Sequence, residues 1–264
     1  MSTKSVTAAA LYEGTYSVGL DKEFVRIDPD DPPKPRSLKL SLNPFLIKNS
    51  GQNLLIDAGP GFYGPENHKQ WMQNNLAEHN LTTEDITDVF CSHLHSDHIG
   101  GLANKGDDGE WELTFLNAKV WVQQDDWEKA VATDTKDDLR GQFIQFVNRK
   151  ADLQYLLHGD KPYPEISVEV IGGHTKYSLA LYLDFGIDKF LMAGDVLATQ
   201  GEVNRKFAAK YDYDGKASMK IREHLIQKAY EEGFIILAYH NTKTPMFRLV
   251  DYMENKGYII EAVE

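Results

Sequence analysis

Cys91-Ser92-His93-Leu94-His95-Ser96-Asp97-His98-Ile99-Gly100 is the stretch that decides how this chain is read. Three imidazoles and one carboxylate stand between positions 93 and 98. Such a grouping suits a divalent zinc, iron, cobalt or manganese ion. His93 and His95 alternate along an extended segment, so both rings face one way. Asp97 and His98 are adjacent, and a turn there presents both to a second point. Four donors from one short loop exceed what a single catalytic ion takes from such a loop.

Working outward, the run emerges from Val89-Phe90-Cys91, which reads as a buried strand. The same pattern recurs along the chain: an apolar strand, then a metal-capable residue just past its end. Gln52 to Ile56 is a strand ending at Asp57-Ala58-Gly59-Pro60-Gly61. It forms a hairpin with Ser37 to Asn49, itself broken at Pro44, through the turn Asn49-Ser50-Gly51. Ile166, Val168 and Val170 alternate with polar residues, and that strand ends at Gly172-Gly173-His174-Thr175. Leu179 to Leu183 and Phe190 to Met192 are joined by a turn, and the second ends at Gly194-Asp195. Phe234 to Leu237 leads into His240. Lys119 to Val122 is a further short strand.

Helices are expected over Pro65 to Glu78, with Trp71, Met72 and Leu76 on one side, and over Ala217 to Glu232. The latter repeats Ile221, Leu225 and Ala229 every four residues and stops at Gly233. Thr82 to Asp85 reads as a capping box. Gln124 to Leu157 reads as mostly helical, divided in two over Ala132 to Asp138. It has the look of an insertion bordering a pocket, and Trp127, Phe143 and Phe146 are expected in its core. His68, His79, His158 and His224 fall in helices or polar loops and read as structural or solvated. The whole of 1–264 reads as one domain.

The chain has 264 residues, 28 basic and 40 acidic, for a formal net charge of −12. An acidic surface argues against holding a nucleic-acid backbone. Bound divalent ions would restore positive charge locally, so a small anionic substrate stays open. Cys91 is the single cysteine, which excludes a disulfide within the chain and a cysteine-rich metal site. Met1 to Leu20 lacks a signal-type apolar stretch, and no run is long enough to span a membrane. The expectation is a cytoplasmic protein with a small-molecule substrate, no nucleic acid and no membrane partner.

The constellation resembles the metallo-β-lactamase superfamily over essentially the whole chain. His93, His95, Asp97 and His98 match the motif His-x-His-x-Asp-His in full. Gly173-His174-Thr175 matches Gly-His-Thr, Asp195 matches the bridging aspartate after glycine, and His240 matches the last histidine. The resemblance implies an α/β fold, a four-layer αββα sandwich. It assigns His93, His95 and His174 to one metal, Asp97, His98 and His240 to a second, and Asp195 to both. Two divalent ions are implied, zinc first, with iron, manganese or cobalt fitting the same donors. Asp57 matches the family's aspartate at the end of an early strand, which the resemblance implies orients a ligand histidine. The implied chemistry is hydrolysis of a small ester, lactone or phosphoester by a metal-bound hydroxide. A homodimer is the assembly it suggests.

Within the superfamily the likeness is to the lactonase and organophosphate-hydrolase branch. It rests on Asn43-Pro44-Phe45-Leu46-Ile47, Leu55-Ile56-Asp57-Ala58-Gly59, His98-Ile99-Gly100-Gly101-Leu102 and Tyr211-Asp212-Tyr213-Asp214. Two departures stand out. Lys176-Tyr177-Ser178 replaces the usual Pro-Gly-His after Gly-His-Thr. Ala198 stands where acyl-homoserine lactonases commonly place a tyrosine, and Tyr177, Tyr63 and Tyr211 are candidates to replace it. Asp97, Asp195, Tyr177 and Asp57 are thus the expected catalytic set. The alternatives are a glyoxalase-II-like thioesterase and a mono-iron oxidoreductase of the persulfide-dioxygenase type.

Overall fold

The computed structural model of the chain describes residues 6–64, 68–134 and 137–263. Its contacts divide it into two compact units, Met1–Tyr155 and Leu156–Glu264. The first unit contains strands β1 (Thr7–Ala10), β2 (Thr15–Val18), β3 (Phe24–Ile27), β4 (Leu38–Ser41), β5 (Phe45–Asn49) and β6 (Gln52–Ile56). Helix α1 (His68–Glu78), strand β7 (Asp88–Phe90) and the short helix α2 (Ser96–Ile99) follow. Then come β8 (Ala103–Lys105), β9 (Trp111–Leu113), β10 (Lys119–Gln123), α3 (Gln124–Thr133), α4 (Leu139–Lys150) and β11 (Asp152–Leu156).

Six of these strands form one sheet in the order β1-β5-β6-β7-β10-β11. The β5–β6 hairpin closes at Ser50 and Gly51, both at positive φ, as a tight two-residue turn requires. β6, β7 and β10 run parallel, with Phe90 of the middle strand opposite both Ile56 and Trp121. Parallel strands end together, so the loops after β6 and β7 leave the same sheet edge side by side. Leu46, Leu55 and Val89 face a core shared with Met72 and Leu76 of α1, Trp127 of α3 and Phe143 of α4. Leu54 and Ile56 point the other way and are also fully buried, so both sheet faces are covered.

The loops after β6 and β7 are clasped by glycines. A Cβ on Gly101 would lie 1.9 Å from Ala58 O, and one on Gly100 would lie 2.0 Å from Pro60 O. Two hydrogen bonds knit the clasp, Ala58 N to His98 O at 2.6 Å and Gly101 N to Gly59 O at 2.9 Å. The glycines after His98 therefore hold the histidine run against the loop that begins at Asp57.

The second unit forms another six-stranded sheet, in the order β12 (Ile166–Val170), β13 (Leu179–Asp184), β14 (Lys189–Met192), β15 (Ile235–Leu237), β16 (Met246–Met253), β17 (Gly257–Ala262). Helix α5 (Gly215–Glu232) covers it. Its Leu225, Ile226 and Ala229 pack with Leu191, Ile236 and Phe247. Asp214 caps its start by accepting from Lys216 N and Ala217 N, and Gly233 ends it at φ 75°. β13 is antiparallel to both β12 and β14, and β15 is parallel to β14. Hence β12, β14 and β15 all point to one edge.

Most expected elements are present. The region over 124–157 differs: helix α4 stops at Lys150, and Asp152–Leu156 forms the edge strand β11. Leu153 and Leu156, read as helical spacing, lie on a strand of mixed polar and apolar residues that pairs at the sheet edge. The strands β1 to β3 and the hairpins β8–β9 and β16–β17 carried too little apolar alternation to be anticipated. The start of the helix expected at Pro65, positions 135 and 136 in the divide expected over 132–138, and the first five residues lie outside the described residues. Among the described residues no helix is long and apolar enough to cross a membrane.

The clasp makes a sharp prediction. Gly101→Ala drives a methyl into the Ala58 carbonyl and is expected to cost on the order of 2 kcal/mol or more in urea denaturation. Gly201→Ala, whose Cβ would meet only Thr199 Oγ1 at 3.8 Å, is the control and should stay near wild type. Equal midpoints for the two variants would disprove the tight approach.

Candidate metal centre

The candidate ligand cluster of the first unit is built around Asp57. This residue sits at φ 58°, a left-handed conformation that aspartate tolerates through local hydrogen bonding. Its amide donates to Phe90 O at 2.8 Å, extending the β6–β7 ladder by one step. That step turns a fully buried carboxylate toward the start of the histidine run. Oδ1 accepts from Ser92 N at 2.7 Å, and Oδ2 accepts from Ser92 Oγ at 2.8 Å and from His98 Nδ1 at 2.7 Å. A buried carboxylate needs such donors, because leaving its lone pairs unmet costs several kcal/mol in order of magnitude.

The network fixes the tautomers of two rings. His98 gives its Nδ1 proton to Asp57, so Nε2 carries the lone pair, 3.7 Å from Asp97 Oδ2. Ser92 Oγ spends its proton on Asp57 and accepts from His93 Nδ1 at 3.1 Å. His93 Nε2 then lies 3.0 Å from His95 Nδ1. His93 and His98 are buried and His95 is exposed. Arg140 of α4 braces the loop from behind: Nη1 donates to Leu94 O at 3.1 Å, between the two histidines, and Nε pairs with Asp134 at 2.8 Å.

The candidate cluster of the second unit follows from strand register. Met192 pairs with Leu237 on parallel strands. Asp195 lies three residues past Met192 and His240 three past Leu237, so the two arrive together. His240 Nε2 is 3.1 Å from Asp195 Oδ1. His174, past the end of β12, brings Nε2 to 3.4 Å from Asp195 Oδ2. The carboxylate thus faces one imidazole with each oxygen.

Asp212 does for His174 what Asp57 does for His98. His174 Nδ1 donates to Asp212 Oδ1 at 3.0 Å, while Asp212 Oδ2 accepts from Ala209 N at 3.1 Å. Backbone bonds from Tyr213 N to His174 O and from Asp214 N to Gly173 O, both 2.9 Å, pin the loop to the segment entering α5. Gly173 is required there, since a Cβ would stand 2.9 Å from Ser218 Cα. The altered loop beyond His174 is closed by Ser178, whose Oγ accepts from Thr175 N at 3.0 Å. Tyr177 is half-buried, with Lys176 Nζ 4.8 Å from its ring centre. Ala198 is buried, and its carbonyl accepts from His240 N at 3.0 Å.

These donors fit divalent cations. The Nδ1 atoms of His174 and His98 already face carboxylates, so a neutral ring at either place would turn a lone pair toward a second carboxylate oxygen. Lone pair facing lone pair is repulsive unless a cation or a second proton lies between. A divalent ion shared by imidazole and carboxylate relieves both contacts, and nitrogen with oxygen donors is the set zinc, iron, manganese and cobalt accept. The carboxylate–histidine pairs at Asp57–His98 and Asp212–His174 are the outer contacts that ligand histidines characteristically make.

Asp212, Ser92 and Arg140 were not legible as site residues. Asp212 lies far along the chain from the ring it orients, and although its segment Tyr211-Asp212-Tyr213-Asp214 carried part of the family likeness, no role for it was read there. His158 stays outside, accepting from Val170 N at 3.3 Å. His79 and His224 also lie outside both clusters, and the side chain of His68 lies outside the described residues. Trp127 and Phe143 are fully buried and Phe146 nearly so, as expected of core residues.

With this geometry in place, comparison with known proteins defines the fold. A probable metal-dependent hydrolase from Staphylococcus aureus superposes with a TM-score of 0.76 at 24% identity, covering 100% of both chains. The dizinc quorum-quenching lactonase AidC gives 0.77 at 16% identity, over 100% of this chain and 96% of that one. The hydrolase AbOPH of the β-lactamase superfamily gives 0.76 at 21% identity, over 98% and 94%. The fold is the metallo-β-lactamase fold. Residues 37–162 also match the family described as anti-Pycsar protein Apyc1. No curated protein matches the sequence.

Cys91 adjoins the histidine run but is walled off. It is 1% exposed, and burial followed by the nearby Asp57 charge pushes its thiol pKa well up. Ellman's reagent is therefore expected to leave the native protein unmodified and to titrate one thiol after denaturation. Rapid native labelling would show that the loop opens.

Proposed function

We propose that this chain is a two-metal hydrolase of a small ester, lactone or phosphoester. The observation that carries the reading is the Asp195 carboxylate, with His174 at 3.4 Å from one oxygen and His240 at 3.1 Å from the other. A carboxylate shared between two ions is presented in this way. By the family resemblance, His93, His95 and His174 are assigned to one ion, Asp97, His98 and His240 to the other, and Asp195 to both. Zinc is the first assignment, in keeping with the dizinc lactonase of the same fold. Two ions in such a site supply Lewis acidity toward a carbonyl or phosphoryl oxygen and an activated water near neutral pH.

The chain's own groups prepare the site. Asp57 and Asp212 hold protons on the outer nitrogens of His98 and His174, which would leave the inner nitrogens free to hold the ions. Ser92 does the same for His93 through its hydroxyl. Arg140 fixes the carbonyl between His93 and His95, limiting the freedom of the exposed His95. Ala198 offers no hydroxyl to a substrate, and Tyr177 is assigned that contact. The full second set of ligands favours two ions over the mono-iron alternative.

A metal-reconstituted panel of lactones, aryl esters, thioesters and phosphotriesters tests the reading. His95→Ala is expected to reduce the activity found to background. Asp57→Asn and Asp212→Asn should each lower metal affinity or turnover by about 10–100-fold, the usual effect of losing an outer partner. Turnover that survives in His95→Ala sinks the hydrolase reading.

A further inference from the structure

A separate cavity of about 960 Å³ lies wholly within the second unit, and none of the assigned metal ligands lines it. That volume is typical of a small-molecule site. One wall is a single face of α5, where Lys216, Lys220, Glu223, Gln227 and Tyr230 follow at helical spacing. The other wall combines the segment 203–206 with the β16–β17 hairpin. These are locked together: Asn204 Nδ2 donates to Tyr258 O at 2.9 Å, and Tyr258 N donates to Asn204 Oδ1 at 2.8 Å. Gly257 allows this approach, since a Cβ there would lie 2.3 Å from Asn204 Oδ1.

The floor is built from buried charge. Arg222 is 2% exposed; its Nε donates to Val196 O at 2.6 Å and Nη1 to Phe207 O at 2.9 Å. Nη2 lies 3.2 Å from Glu202 Oε1 but makes no well-directed hydrogen bond. Glu202 spends its other oxygen on Ala198 N at 2.7 Å and Thr199 N at 2.9 Å. Burying such a pair is costly, and it gives the cavity a fixed polar base.

The two ends of the cavity differ chemically. Near the start of α5 it is cationic, although the chain carries a net charge of −12. Glu202 and Glu223 are occupied by Arg222 and Lys206, which leaves Arg205, Lys216 and Lys220 at this end against Glu231 at the other, where Gln227 Nε2 donates to it at 2.8 Å. Near the end of α5 it is aromatic. Tyr258 packs edge-on against Tyr230 at 5.3 Å and against Tyr252 at 5.0 Å between ring centres. Lys220 and Tyr230 are ten residues apart on the helix, about 15 Å at 1.5 Å per residue.

We propose that this cavity binds an aromatic anion of nucleotide size, its ring on the Tyr230–Tyr258–Tyr252 shelf and its anionic group among Arg205, Lys216 and Lys220. Stacking on tyrosine accepts any flat ring, and the exposed cations confer the preference for charge. The test is calorimetric titration of the full-length metal-loaded protein with adenosine 5′-monophosphate and with neutral adenosine. The monophosphate is expected to bind once per chain and adenosine about tenfold or more weaker, a difference of about 1.4 kcal/mol.

Variants separate this cavity from the metal centre. Lys216→Glu combined with Lys220→Glu should weaken the monophosphate about tenfold or more while leaving turnover unchanged. Tyr252→Ala should weaken both ligands. His95→Ala should bind the monophosphate as wild type does, whether or not hydrolytic activity is found. No binding at millimolar monophosphate overturns the proposal. So does equal affinity for the two ligands, or binding lost in His95→Ala and kept in the lysine variant.

Discussion

The hydrogen bond between Asp57 Oδ2 and His98 Nδ1, 2.7 Å long and wholly buried, is the constraint on which the first cluster depends. It exists because β6 and β7 are parallel and in register, which sets Asp57 beside the start of the histidine run, and because the bond from Ala58 N to His98 O at 2.6 Å returns His98 to the same loop. It fixes one tautomer of His98, and through Ser92 it fixes His93. It also determines what the flanking chain must be. The carboxylate fits only if Asp57 adopts a left-handed backbone, and the loop behind it closes only if positions 100 and 101 lack side chains. A buried acid, a serine, two imidazoles and two glycines are one cooperative unit, and loss of any member leaves polar groups unmet.

The second cluster repeats the logic with different parts. Parallel β14 and β15 deliver Asp195 and His240 together, and Asp212, fixed at the entry to α5, plays the role for His174 that Asp57 plays for His98. In both units a sheet sets the spacing of the ligands and a buried carboxylate sets their protonation. Burial disfavours the charged form of Glu202, and Arg222 with the Ala198 and Thr199 amides opposes that shift. The loop carrying Asp195 is in this way tied to the body of α5.

Much of this was legible in the chain. Short-range features were plain: the histidine run, the strand-end positions of Asp57, His174, Asp195 and His240, the hairpin at Ser50-Gly51 and the cap at Gly233. Each is written in residues close in sequence, where spacing and backbone preference act directly. What escaped was non-local. Nothing in the stretch near Asp212 announces that it will meet His174, and Arg140 reaches Leu94 only after α4 has docked. The edge strand β11 escaped for another reason: Leu153, Leu156 and Leu157 suit a helix as well as a strand, and the empty edge beside β10 decides between them. The metallo-β-lactamase fold was recoverable because its signature is a set of local motifs in fixed order, whereas a substrate is selected by surfaces assembled from distant segments.

The central claim is that Asp195 joins two ions rather than serving one. Metal content after reconstitution with excess zinc and removal of unbound metal, measured by inductively coupled plasma mass spectrometry, tests it most directly. The account predicts about two zinc ions per chain, with Asp195→Asn retaining fewer. A wild-type protein that saturates at one ion would contradict it.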